Sequence, residues 1–218
     1  MFSARKLTQE KTAVNLKSSE IARQRWRRHL RRSADNYENG ILVDEILRLT
    51  RVVSQLEIET RTDALTGLLN RRGFMDELSV AWHRGLRQKI PTCLIMLDMN
   101  QFKQINDSYG HEIGDQALKI MAEHLRKCLR ENDVIGRIGG DEFAIVLAYT
   151  DPLQTIGVMN KLVESTPILH VQTEATVESI PLPFAMGFTE LTSDYVAPKS
   201  WLHAADKQMY CGKTTTAI

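Results

Sequence analysis

Two glycines and two acids, Gly139-Gly140-Asp141-Glu142, open the apolar run Phe143-Ala-Ile-Val-Leu147. The pattern reads as a tight turn feeding a buried strand. Glycine in such a turn lets a ligand approach the backbone where a Cβ would stand in the way. The carboxylates of Asp141 and Glu142 are hard oxygen donors of the kind that suit Mg²⁺ and phosphate. Another acid, Asp98, closes the short apolar run Thr92–Asp98. If the two runs are neighbouring strands, Asp98 and Asp141 can share one cation, with phosphate oxygens and water completing its octahedron. Each acid alone is equally a solvated strand end or turn tip. Beyond Asp98 come Met99-Asn100-Gln101-Phe102-Lys103-Gln104-Ile105-Asn106-Asp107, then Gly110-His111 and Gly114-Asp115. Lys103 is an ordinary surface lysine unless a phosphate is near, in which case its ammonium meets developing charge. Asn106 and Asp115 together supply hydrogen-bond donors and acceptors. Asp115 also suits the N-cap of a following helix, a role compatible with the first.

Taken in this order, the segments resemble the GGDEF family of diguanylate cyclases, which join two GTP into cyclic di-GMP. The likeness runs from about Thr62 to Lys213. It includes Thr62-Asp63-Ala-Leu-Thr66-Gly67-Leu-Leu-Asn70-Arg71-Arg72-Gly73-Phe74 at its front and Ala205-Asp206-Lys207-Gln208-Met209-Tyr210-Cys211-Gly212-Lys213 at its back. The resemblance implies Asp98, Asp141 and the Met99 backbone carbonyl as ligands to Mg²⁺, or to Mn²⁺ in its place. It implies attack of one GTP 3′-hydroxyl on another GTP's α-phosphate, expelling pyrophosphate, with Glu142 or Asp141 as the base. Lys103 is then catalytic, Phe102, Asn106, His111 and Asp115 hold the nucleotide, and Lys213 contacts the triphosphate. An acid retained at Asp115 favours GTP over ATP. Arg130-Glu-Asn-Asp133, a pair that by itself is a common accident, matches the family's inhibitory site for the product. The implied role is second-messenger signalling that controls biofilm and motility.

Three positions depart from the family pattern. Asn100 replaces an Asp, Phe184-Ala-Met-Gly187 stands where Ser-Ile-Gly is usual, and Ala217 occupies the place of a phosphate-binding Arg. The last motivates an alternative, a catalytically weak GGDEF module that serves as a receptor for GTP or cyclic di-GMP. A nucleic-acid-binding protein with a basic arm is a more distant alternative.

The elements that must position these residues are legible from periodicity. A helix is expected from the turn and cap residues near Asn70 through about residue 87, and a buried strand over 92–98. Ala117, Leu118, Met121, Leu125 and Leu129 give a helical period over 114–130. A strand over 143–149, a helix over 152–164, a β-rich stretch around 168–189 and a helix over 199–211 follow. Irregular alternation with a tight hairpin predicts an α+β fold, an antiparallel-type sheet covered by helices. The family's fold, which resembles the palm of nucleotidyl cyclases, agrees.

Three segments are expected: 1–36, 37–61 and the catalytic domain 62–218. Residues 1–36 hold ten Lys/Arg against three Asp/Glu, which leaves 18 against 24 for the rest. This basic stretch, with Trp26, is a solvated helix face or a surface for an anionic partner, membrane or nucleic acid. After the break at 36–40, Leu42, Ile46, Leu49, Val53 and Leu56 form an a/d heptad seam. That seam predicts a short coiled coil and a homodimer, against a helix packed on its own domain. The three cysteines lie far apart without ligand spacing, and Cys93 and Cys128 read as small core residues. Without an apolar run of 18 residues or a secretory leader, a cytoplasmic setting is expected.

Overall fold

The computed structural model describes residues 46–52, 61–172 and 176–215, with the side chains of 212–215 left aside. The chain divides into two compact units, residues 1–58 and 59–218. Of the first, residues 46–52 are helical, with Thr50 Oγ1 donating to the Ile46 carbonyl at 2.7 Å. Leu49 of the heptad seam is half exposed on this helix. Leu42, Val53 and Leu56, like the whole basic stretch with Trp26, lie outside the described residues.

In the second unit, helix α1 (Arg71–Gln88) leads into strand β1 (Thr92–Met99). Helices α2 (Phe102–Tyr109) and α3 (His111–Cys128) follow, then the hairpin of β2 (Val134–Arg137) and β3 (Glu142–Ala148). Helix α4 (Pro152–Glu164), strands β4 (Ile168–Gln172), β5 (Val177–Pro181) and β6 (Phe184–Glu190), and helix α5 (Pro198–Thr215) complete it. The main sheet has the order β2-β3-β1-β6 with every pairing antiparallel. Strands β4 and β5 pair separately. This is the antiparallel sheet with helical cover that the pattern predicts.

Strand side chains alternate between two buried faces, so β1 and β3 read as continuous apolar runs. On one face Leu94, Met96, Ala144 and Val146 pack with Phe74 and Leu78 of α1 and Trp201, Ala205 and Met209 of α5. On the other, Ile95, Leu97, Phe143, Ile145 and Leu147 pack with Leu118, Met121 and Leu125 of α3 and Leu162 of α4. Each such side chain contributes about 1.5–3 kcal/mol when fully buried, so both helical layers are fastened to the sheet.

Two elements differ from the sequence expectation. Helix α2 was not foreseen: it is eight residues long and buries only Ile105, too little for a visible period. Helix α3 begins at His111 rather than 114, because Gly110 (φ 85°) both ends α2 and caps α3. By contrast α4 starts where its sequence says, with Asp151 and Gln154 forming a capping box and Pro152 in the first turn. Among the described residues no helix is long and apolar enough to cross a membrane.

Candidate active site

The register of β1 against β3 sets Asp98 opposite Glu142. Asp98 shares the parity of Leu94 and Met96, and Glu142 that of Ala144 and Val146, so both start from the face covered by α1 and α5. Asp141, one residue earlier, stands in the turn, where its carbonyl accepts from the Met99 N–H at 3.2 Å. The Glu142 carboxyl lies above its ordinary pKa, through burial first and then repulsion from Asp98, Asp206 and Asp141; Arg71 partly offsets this. Asp206, on α5, joins the acids from 64 residues further along the chain. Sequence reasoning did not place it among them, and its only signal was its place in the Ala-Asp-x-x-x-Tyr segment.

Several bonds hold the hairpin in place. Arg137 grips the Gly140 carbonyl through Nε and Nη2, at 3.0 and 2.8 Å. Its Nη1 reaches both Asp63 oxygens, at 3.1 and 3.2 Å. Arg71 Nη1 donates to the Ile138 carbonyl at 3.1 Å. Asp63 also accepts from the N–H and hydroxyl of Thr66. Burial alone would raise the Asp63 carboxyl, but the bonds from Thr66 and Arg137 outweigh it and hold the pKa below its ordinary value. At Gly139 a Cβ would run into the Glu142 carboxylate, so that space belongs to the chain itself. Only Gly140 faces open space, as the sequence reading expected of both glycines.

The acids fit a hard divalent cation. Mutually repelling carboxylates on adjacent strands are oxygen donors whose charges a cation relieves. Among the described residues no three acids, histidines or cysteines form a ready-made cage. A cation here would therefore rest on one or two carboxylates and draw other ligands from phosphate and water, the habit of Mg²⁺.

Beyond β1 the chain turns through Gln101 (φ 60°) into α2. Lys103 lies exposed in its first turn and Phe102 half-buried beside it. One turn on, Asn106 presses its amide against α3 at Gly114: a Cβ there would overlap Asn106 Oδ1 and crowd the Phe102 ring. Gly114 thus brings Phe102, Asn106 and the adjoining Asp115 into one corner. Asp115 is exposed and lies a turn inside α3, whose N-cap is Gly110, so the capping role is excluded. His111 is the exposed first residue of α3. Lys213 sits in the last turn of α5, its side chain outside the described residues, as is Ala217.

At the opposite end of α3, Asp133 Oδ2 accepts from the Arg130 N–H at 2.8 Å, and the Asp133 N–H returns to the Arg130 carbonyl at 3.0 Å. Arg130 is exposed. Burial raises the Asp133 carboxyl, with the bond from Arg130 opposing. Cys93 is fully buried, as expected; Cys128 is half-buried, packing against the core while its sulfur also meets His124 and Ser165.

An antiparallel sheet covered by helices, with acids gathered at its hairpin end and a polar corner on α2 and α3, defines an α+β domain. The family profile described as "Diguanylate cyclase, GGDEF domain" matches residues 60–217, and the chain belongs to that family. It is 31% identical over 159 residues to the probable diguanylate cyclase DgcC of Escherichia coli K12, across 73% of this chain and 42% of that protein. It is also 31% identical over 161 residues to the diguanylate cyclase DgcS of Shewanella oneidensis, across 74% of this chain and 52% of that one. The coiled coil and GGDEF domain of DgcB from Caulobacter crescentus, solved with c-di-GMP, superposes with a TM-score of 0.72 at 26% identity. That match covers 85% of this chain and 94% of the other. The chain thus spans about half the length, or less, of these two curated relatives.

Proposed function

We propose that the chain is a diguanylate cyclase that condenses two GTP into cyclic di-GMP and releases pyrophosphate, working as a homodimer. The observation that carries this reading is the Asp98–Glu142 register at the hairpin end of the sheet, one short helix away from the Asn106–Asp115 corner. Asp98 and Asp141 would hold the cation with the Met99 carbonyl as a further donor, and the register brings Glu142 opposite Asp98 beside them. Glu142 or Asp141 would take the proton of the attacking 3′-hydroxyl. Bound Mg²⁺, or Mn²⁺, would polarise the α-phosphate and lower the pKa of that hydroxyl. Asn106 and Asp115 read guanine, with Phe102 and His111 at the edges of the same corner. Phosphate charge is met by the exposed Lys103 at the N-terminus of α2, an end that favours anions, and by Lys213.

One domain offers one nucleotide corner, so two phosphodiester bonds require two domains face to face. A heptad helix across 42–56 supplies the proximity as a coiled coil, which raises the effective concentration of the second domain. Replacing Ile46 and Val53 with Glu should make specific activity fall and rise again with protein concentration. A monomeric double variant with full, concentration-independent activity would remove the dimer. Arg130 and Asp133 form the inhibitory site for the product, and the basic segment 1–36 meets an anionic partner in a cytoplasmic setting.

The test of the reaction is product analysis after incubation of the purified chain with GTP and Mg²⁺. Cyclic di-GMP with two pyrophosphates for each is the expected result. Tight binding of GTP or cyclic di-GMP without pyrophosphate release would instead support the receptor reading, which Ala217 motivates.

A further inference from the structure

The C-terminal end of α3 and the end of α4 carry a cluster that the reaction above does not use. His124 and Cys128 lie one helical turn apart, with Cys128 Sγ 3.8 Å from His124 Nδ1. His124 is 8% exposed, and its Nε2 lies 3.1 Å from the Leu162 carbonyl oxygen on α4. A carbonyl only accepts, so Nε2 carries the imidazole proton and Nδ1 keeps its lone pair. Burial first, with the Lys127 charge adding to it, outweighs the bond to Leu162 and holds the His124 pKa below its ordinary value. The activation rests on geometry: the lone pair of Nδ1 faces the sulfur.

Two further groups surround the sulfur. Ser165 Oγ is 3.5 Å from Cys128 Sγ and donates to the Lys161 carbonyl at 2.7 Å. Lys161 Nζ donates to the Cys128 carbonyl at 2.8 Å. That bond places a cation at the C-terminal end of α3, the end that favours positive charge. A nucleophile within reach of a base, with that base oriented by a third group, is the arrangement of an activated thiol. Cys128 is half-buried, whereas Cys93 is fully buried and burial raises its pKa.

We propose that Cys128 is a modification site, a thiol that His124 activates toward hydroperoxides. Sulfur attacks one peroxide oxygen as the thiol proton passes to His124 Nδ1. The S–O bond forms and the O–O bond breaks, its electron pair leaving with the second oxygen, which takes the proton from His124 and departs as water or alcohol. Sulfur is oxidised by two electrons to the sulfenic acid, and the hydroperoxide is reduced by two. The proposal does not depend on the cyclase reaction.

The experiment treats the full chain at pH 7 with hydrogen peroxide and a cyclic 1,3-dione that traps sulfenic acid, and follows Cys128 and the exposed Cys211 by mass spectrometry. Cys128 should be trapped about tenfold faster than Cys211. His124→Asn should slow Cys128 by about tenfold and leave Cys211 unchanged. Cys128 reacting no faster than Cys211, or a folded His124→Asn protein in which Cys128 reacts at the parent rate, would overturn the assignment. The comparison of the two cysteines in the parent needs no substitution, so it decides even if the buried His124 does not tolerate change.

Discussion

The β2–β3 hairpin and the α2–α3 corner are built in opposite ways. Around the hairpin, Ile138 and Asp141 each give a carbonyl to a bond from another part of the domain, Arg71 and the Met99 N–H, while Gly140 gives its own to Arg137 of β2, which also grips Asp63. The corner instead presents Lys103, His111 and Asp115 on the surface, and the packing of Asn106 onto Gly114 is what shapes it. The difference fits what the proposed reaction asks of each. Acids that repel one another do not gather unaided, and an error of about 1 Å in a reacting group can cost a hundredfold in rate. Recognition of a base edge tolerates side chains that exchange water for ligand. Rigidity is therefore spent where charges crowd, and exposure where a ligand must enter.

The sharpest way to break this contrast is to remove an acid from the crowded end. Asp98→Asn and Glu142→Gln should each lower kcat by about a thousandfold, equivalent to about 4 kcal/mol of transition-state stabilisation. Their thermal midpoints should hold or rise in metal-free buffer, because repulsion toward Glu142 is relieved. Steady-state kinetics beside a melting curve checks both halves. A well-folded variant that turns over like the parent would end the assignment of these acids.

Next in size is Arg137→Lys, which keeps the charge but loses the fork that spans Asp63 and the Gly140 carbonyl. With the hairpin loosened but no nucleotide contact removed, kcat should drop by about tenfold to a hundredfold while KM stays near its parent value. A change in KM alone would place Arg137 in binding rather than positioning.

The corner should respond in the other sense. Asp115→Ala should raise the KM for GTP by about tenfold with a smaller change in kcat. Gly114→Ala should do the same without touching a nucleotide contact, because the added methyl displaces the Asn106 amide. Equal kinetics for parent and Gly114→Ala would show that the seat of Asn106 is not needed.

The smallest effect concerns pH. Asp63 has a folded pKa below its ordinary value, so its contribution to stability is present above the unfolded carboxylate pKa and is lost as pH falls through the folded one. The thermal midpoint of the parent should exceed that of Asp63→Asn at pH 7, and the gap should close under strongly acid conditions. A gap that is constant with pH would mean that the Asp63–Arg137 charge pair contributes nothing.

Long, strongly patterned elements were legible from the sequence. The apolar runs at 92–98 and 143–149, the helical period across 114–130 and the helix over 152–164 needed only local rules. So did the choice of acids as candidate chemistry. Helix α2 escaped because a single buried residue in eight leaves no period, and the start of α3 was misjudged because Gly110 serves two helices at once.

What the tertiary structure decided is which side chains meet. The sequence puts Asp98 and Glu142 at strand ends, but only the register against β1 sets them opposite one another. Asp206 reaches the same acids because α5 packs on the sheet face where Asp98 and Glu142 begin, a juxtaposition that no local spacing encodes. Arg137 meets Asp63 across 74 residues, and Cys128 finds Ser165, and His124 the Leu162 carbonyl, only where α3 lies against α4. Local sequence sets propensity and face through short-range sterics. Partners distant in the chain are chosen by packing of the whole domain, and charge interactions act through space once that packing exists.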